Sequence, residues 1–173
     1  PTPRWMLERL SSSGVRSRGA VIDITNYVML ELGQPMHAFD LNKIEKRIIV
    51  RMGCNEELKL LDDSHFRVDK DTLLIADAVK PLALAGIMGG KESAVDSDTN
   101  DILLESAWFT PLVVAKKARS FSKQTDSSHR FERGVDSSLQ EVALERATTF
   151  LIDICGGCVG PIVCKESSIA LPK

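Results

Sequence analysis

Apolar residues in this chain fall into helical and strand periods that alternate along its length. Val21, Ile24, Val28 and Leu32 recur close to every 3.6 residues; the run stops at Gly33, and Pro35 forces extended chain, so the spacing predicts a helix followed by a strand. Ahead of it, Thr2 and Pro3 read as a cap and first helical position for a helix with Met6, Leu7 and Leu10 inward, ended by Gly14. Four short segments rich in Ile, Val and Leu follow, at Arg47 to Met52, Glu57 to Leu61, Thr72 to Asp77 and Pro81 to Met88, each bounded by turn residues; Asp62, Asp63 and Ser64 form the expected hairpin turn. After Gly89 and Gly90 a polar loop runs to Asp101, then Ile102 to Ala107 reads as a strand with one carboxylate, Glu105, among aliphatics. Thr110 and Pro111 open a helix through Ala118, Ser120 to Ser128 is a hydroxyl-rich loop, and Asp136 caps a helix from Leu139 to about Ile154. Gly156 and Gly157 end that helix, and a last strand is expected over Val159 to Cys164. The element order is that of an α+β domain, with mixed β-sheets in a layered, sandwich-like core covered by helices.

Several polar residues break the pattern. Asp23, Thr25, Asn26 and Tyr27 interrupt the central helix and His37 follows at once on the strand. Polar groups in apolar company need partners or cost about 1–3 kcal/mol each. Either they bond locally, Thr and Asn to nearby backbone and His37 to a carbonyl, or helix end and strand converge on a pocket.

Composition narrows the partners. The 173 residues carry 43% hydrophobic and 27% charged side chains with a net charge of −2, so no overall field draws the chain to a polyanion. No apolar run approaches the roughly 18 residues that cross a bilayer, and no signal-peptide pattern opens the sequence; a soluble, cytoplasmic protein with no membrane partner is expected. Cys155 and Cys158 form a C-x-x-C, but no second pair or suitably spaced His accompanies them, and the pair trails a helix rather than starting one. The four cysteines are therefore read as buried or neutral thiols, with no metal.

Familiar catalytic signatures are missing. There is no G-x-S-x-G elbow, no H-E-x-x-H helix, and no G-x-G-x-x-G or Walker lysine after a strand. The residues left as candidates are His37, Glu105, Thr25, Asn26, the glycine turn at Gly86 to Gly90 and the hydroxyl loop, which together describe a small-molecule pocket.

Four segments carry a resemblance: Val21 to Asp40 (VIDITNYVMLELGQPMHAFD), Ala83 to Gly90 (ALAGIMGG), Leu104 to Ala107 (LESA) and Thr125 to Asp136 (TDSSHRFERGVD). In this order the chain resembles the central part of the bacterial phenylalanyl-tRNA synthetase beta subunit, its third and fourth modules, which form an editing domain. The one departure noted is Gly19-Ala20, where an Asn or a basic residue often precedes the Val-Ile-Asp run. The resemblance implies that residues 1–173 are a single editing domain of two intertwined lobes, a fragment of a larger beta subunit. It implies hydrolysis of Tyr wrongly attached to tRNA(Phe), with aminoacylation left to the alpha subunit of a heterotetramer. No cofactor is then expected in this fragment, ATP and magnesium serving the full synthetase.

The same resemblance assigns roles. Glu105 would receive the tyrosine hydroxyl, with Ala85 and Gly86 offering backbone beside it. An apolar pocket rejects an added hydroxyl only about a hundredfold, whereas a site built to bond it discriminates by roughly 10⁴–10⁵. His37, Thr25 and Asn26 would surround the amine and ester, with His37 orienting or activating water as a side chain titrating near neutrality. Thr125 and Ser127 would border the pocket with small side chains, while His129, Arg130 and Arg133 would either pair with Glu132 and Asp136, tying loop to helix, or contact tRNA. Two other readings are a module of the same synthetase that positions tRNA without editing, and a related domain of tRNA(Ile)-lysidine synthetase.

Overall fold

A computed structural model describes residues 1–165, so 166–173 of the expected unit lie outside the described residues. Helix α1 (Arg4–Ser12) is followed by α2 (Ala20–Leu32), strand β1 (Met36–Asp40) and a 3-10 turn. Strands β2 (Ile49–Met52), β3 (Glu56–Lys59), β4 (His65–Val68), β5 (Leu73–Ala76), β6 (Pro81–Leu84), β7 (Met88–Gly89) and β8 (Ile102–Ser106) come next. The chain then forms α3 (Pro111–Ser120), α4 (Asp126–Phe131) and α5 (Gln140–Cys155). This is the expected α+β class. Its sheets are not mixed, however: every strand pairing among the described residues is antiparallel, in the orders β1-β8, β2-β5-β6-β7 and β3-β4. The reason is local, since parallel neighbours need crossover connections of a dozen or more residues, and the β3–β4 and β6–β7 pairs are joined by tight turns instead.

The ribbon β1-β8 separates two cores. His37 pairs with Glu105 and Phe39 with Leu103 on one face; Ala38 pairs with Leu104 and Asp40 with Ile102 on the other. Phe39 and Leu103 join a core made by the sheets with Phe109, Val114, Ala118 and Phe131. Met36, Ile102 and Leu104 join a second, with Met6, Leu10, Ile24, Val28, Ala147 and Leu151 from α1, α2 and α5. Because side chains alternate along a strand, a slip of one residue would exchange these faces. Register is held at one end by Gln34, which is fully buried: its amide nitrogen donates to the carbonyls of Pro35 and Ala107, both at 2.9 Å, and its oxygen accepts from Gln140 at 2.8 Å.

Several expectations change. Thr2 does not cap α1; Pro3 occupies that position, and the Thr2 hydroxyl donates to Asp23. Asp23, completely buried, also accepts from the Ser17 hydroxyl and the Arg18 amide, at 2.6 and 2.9 Å, so the acid inside α2 ties down the chain that enters it. Asp23→Ala strands those donors and should lower stability by about 2 kcal/mol, read as a lower urea midpoint at unchanged slope; an unchanged midpoint would show that the tie is dispensable. The segment Pro81 to Met88 is not one strand but the hairpin β6–β7, folded back at Gly86, whose φ of +70° favours glycine. Val159 to Cys164 forms no strand: Val159, Ile162 and Val163 are exposed, and among the described residues no strand pairs with them. The four cysteines are exposed and free, not buried.

Candidate functional site

The fold-back at Gly86 and the ribbon β1-β8 enclose a cavity of about 80 Å³. Its walls come from Pro35, Met36 and His37 on one side and Glu105 on the other, with Ile75, Ala83, Leu84, the turn Gly86–Gly89, Phe109, Ser127 and Phe131 completing it. His37 and Glu105 are direct cross-strand partners, so both aim at the same space. The rings of Phe109 and Phe131 meet edge to face with centroids 5.0 Å apart. A Cβ on Gly86 would stand 3.0 Å from Phe109 and 3.2 Å from Phe131, so space as well as backbone conformation selects glycine there.

Burial sets the protonation of the two polar groups. Desolvation pushes the Glu105 carboxyl up from 4.5 to about 7 and holds the His37 imidazole down from 6.5 to about 4. His37 is therefore a neutral imidazole at neutral pH, and the group that titrates near neutrality is Glu105, the reverse of the expectation for His37. Among the described residues no hydrogen bond or ion pair reaches the Glu105 carboxyl, and the buried Nε2 of His37 has no partner. A half-buried, desolvated acid and an imidazole with a buried, partnerless Nε2 on facing strands suit a ligand that brings its own donors and acceptors.

The hydroxyl-rich loop also supports the turn that forms the cavity. Thr125 caps α4 in a capping box with Ser128, a helix that begins inside the expected loop. The Thr125 hydroxyl donates to the Ile87 carbonyl at 2.8 Å and the Ser127 hydroxyl to the Gly86 carbonyl at 3.1 Å. Two successive carbonyls of the turn are thus latched by α4, and of the two hydroxyls only that of Ser127 belongs to a residue lining the cavity.

Other expected residues lie elsewhere. Ala85 is buried beside the turn, its amide donating to the Leu73 carbonyl at 3.1 Å, but it does not line the cavity. Thr25 and Asn26 sit on α2, away from the lining; the Thr25 hydroxyl donates to the Ile22 carbonyl at 2.9 Å, the local bond foreseen as the simpler explanation. Arg133 pairs with Glu132, whereas Arg130 takes Asp126 rather than Asp136, whose carboxylate instead accepts from Ser138. Phe109, Phe131 and Ile75 were not among the candidates from sequence; Phe131 stood inside a quoted motif, while Phe109 and Ile75 had no signal beyond apolarity.

A wider cleft of about 650 Å³ lies over α1 and α2, lined by Trp5, Arg9, Tyr27 and Glu31. Three of its polar groups are already engaged: Arg9 donates to the Tyr27 hydroxyl at 2.6 Å, and Arg146 beside the cleft holds Glu31 at 2.8 Å. Among the described residues it has no lining side chain with a polar atom that is both buried and unpartnered, as Nε2 of His37 is in the smaller cavity. Among the described residues no three His, Cys, Asp or Glu side chains gather as a metal site, and no helix is long and apolar enough to cross a membrane.

Residues 1–156 match the model of the B3/4 domain, a span that includes the ribbon, the glycine hairpin and all five described α-helices. The chain belongs to the B3/4 domain family. Its similar relatives include the phenylalanine–tRNA ligase beta subunits of Nitrosococcus oceani, 56% identical over 99% of this chain, and of Vibrio cholerae, also 56% identical over 99%. That of Yersinia pestis is 54% identical over 99% of the chain. In each case this B3/4 domain spans 22% of the relative's length.

Proposed function

We propose that this B3/4 domain is the proofreading module of a phenylalanine–tRNA ligase beta subunit, hydrolysing the ester that joins Tyr to tRNA(Phe). One observation carries the reading: an unpartnered carboxyl, half-buried and desolvated on an apolar strand, faces a cavity walled by two phenylalanine rings and a glycine turn. A tyrosine ring suits the aromatic wall, and its hydroxyl supplies the donor that Glu105 lacks. Phenylalanine would fill the same wall and leave the acid unpaired, so the site tells the two apart through a buried polar group rather than through size.

The ester end is served by His37. As a neutral imidazole it accepts a proton or hydrogen bond from the attacking water, with which its Nε2 would acquire a partner. An aminoacyl ester is intrinsically reactive, so positioning that water supplies much of the acceleration. Thr25 and Asn26, placed on α2, would reach the substrate's amine only from outside the present lining. Glu105, Gly86 and Ser127 would contact the amino acid, while Thr125 and Ala85 hold the turn that presents it. The tRNA itself would be held largely by the rest of the subunit and its alpha partner, since a chain of net charge −2 offers little attraction to phosphate. ATP and magnesium would belong to the aminoacylating part of the enzyme, in the cytoplasm where translation proceeds.

The test is deacylation by the full-length synthetase of tRNA(Phe) charged with Tyr or with Phe. Release of Tyr should exceed release of Phe, and Ser127→Trp, which drives an indole into the cavity, should abolish the first while aminoacylation continues. Equal release of both amino acids, or Tyr release that survives Ser127→Trp, would defeat the assignment.

A further inference from the structure

The three glycines of the hairpin are glycines for different reasons. Gly86 has a φ of +70°. Gly90 packs against backbone, where a Cβ would come within 2.5 Å of the Leu82 carbonyl oxygen. Gly89 has neither reason: its φ is outside the left-handed region, and no backbone atom is among the three nearest to its absent Cβ. What fills that space is the imidazole of His37, with Cε1 2.4 Å and Nε2 2.7 Å from where a Cβ would be, and Leu61 beyond at 3.2 Å.

We propose that Gly89 is a positioning residue, whose missing side chain forms the seat that holds the His37 imidazole in the cavity wall. The proposal rests on the hydrolytic reading above for its effect on rate, though the seat itself is a matter of packing. The ring is confined from two sides, by the bare Cα of Gly89 and by the Phe39 ring, whose centroid lies 4.5 Å away at 74°. Rotating the imidazole by 180° exchanges Nε2 with Cε1 and Nδ1 with Cδ2, so the edge against Gly89 is the same Cε1–Nε2 edge in either orientation. A methyl group at position 89 cannot coexist with that edge. The end of a side chain moves more readily than a hydrogen-bonded strand, and β7 is held by its pairing with β6 and by the Gly89 carbonyl, which accepts from the Leu61 amide at 3.1 Å. The imidazole would therefore leave its seat while the hairpin stays.

Three variants of the full-length synthetase test this: Gly89→Ala, His37→Ala and the two combined, with Gly90→Ala as a control that strains the neighbouring residue against backbone. In Tyr-tRNA(Phe) deacylation Gly89→Ala should lower kcat about tenfold or more while KM stays within about twofold. In the His37→Ala background the same substitution should cost nothing further, because the vacated space accepts the methyl. A readout without substrate is the rate of carbethoxylation of His37 by diethyl pyrocarbonate, followed by mass spectrometry of its peptide: faster in Gly89→Ala, unchanged in Gly90→Ala. Losses that add in the double variant, an unchanged modification rate in Gly89→Ala, or equal acceleration in Gly90→Ala each overturn the seat. If His37→Ala deacylates like the parent protein, the effect of Gly89 on rate falls together with the role given to His37, whereas the reading of the hydroxyl by Glu105 is judged separately by its own substitution.

Discussion

Glu105→Ala should slow release of Tyr from tRNA(Phe) about 100-fold and leave release of Phe nearly unchanged, as expected for loss of a hydrogen bond to a buried acid worth about 1.5–3 kcal/mol. The argument rests on where the carboxyl sits. Its cross-strand neighbour is His37, the cavity it faces is lined by Phe109, Phe131, Ile75 and Leu84, and desolvation alone accounts for its raised pKa. An acid that structural pairing had already satisfied would cost little to remove from a hydrolase. Glu105→Gln keeps a carbonyl that accepts from a phenol and should retain part of the preference, whereas Ala retains none. Deacylation time courses with each charged tRNA decide the matter: a Glu105→Ala enzyme that still prefers Tyr would remove the acid from substrate recognition.

The desolvated carboxyl of Glu105 and imidazole of His37 make folding stability depend on pH in opposite directions. Glu105 has a folded pKa of about 7 against 4.5 when unfolded, so unfolding releases a proton between these values and stability falls as pH rises through them. The resulting penalty, about 3 kcal/mol, is complete above the folded pKa and absent below the unfolded one. His37 has a folded pKa of about 4 against 6.5 unfolded; unfolding takes up a proton, and a penalty also of about 3 kcal/mol develops as pH falls through that window. Between 4.5 and 6.5 the two slopes oppose and largely cancel, so this pair leaves stability nearly flat there. Glu105→Gln should therefore stabilise by about 3 kcal/mol near pH 8 and very little near pH 4, and His37→Gln should do the reverse. Urea unfolding of each variant at both pH values is the check; a gain from Glu105→Gln that is equal at the two would mean that its carboxyl is not desolvated.

Much of this was legible in the sequence, for identifiable reasons. Gly33 and Pro35 marked the turn from α2 into β1, and Gly33 indeed takes a φ of +76°. Glu105 stood out because a carboxylate among aliphatics is uncommon, and the cavity contains it. The fold-back within Pro81 to Met88 was hidden because both limbs are apolar and a lone glycine in such a run reads equally as a bulge. Helix α4 was masked by its serines, although Thr125 and Ser128 carry the spacing of a capping box. Val159 to Cys164 had the residues of a strand but lacked a neighbour, which composition does not disclose. Thr25 looked like pocket chemistry because its side chain must bond something, and only the coordinates say that the partner is the Ile22 carbonyl one turn back. Protonation is likewise beyond spacing: that His37 is held neutral follows from the depth at which it is buried.

The partition made by β1 and β8 also bears on how such a domain tolerates change. Neither strand belongs to the cavity alone, since Glu105, which faces it, is flanked by Leu104, which packs on the helices, and Met36 touches both. Enlarging Ala147 or Ile24 on the helical side would press on the back of the strands and tilt the acid and the imidazole without touching either. Substitutions in the helices are thus coupled mechanically to the front of the wall, and neutral drift there is bounded by the geometry that the cavity requires.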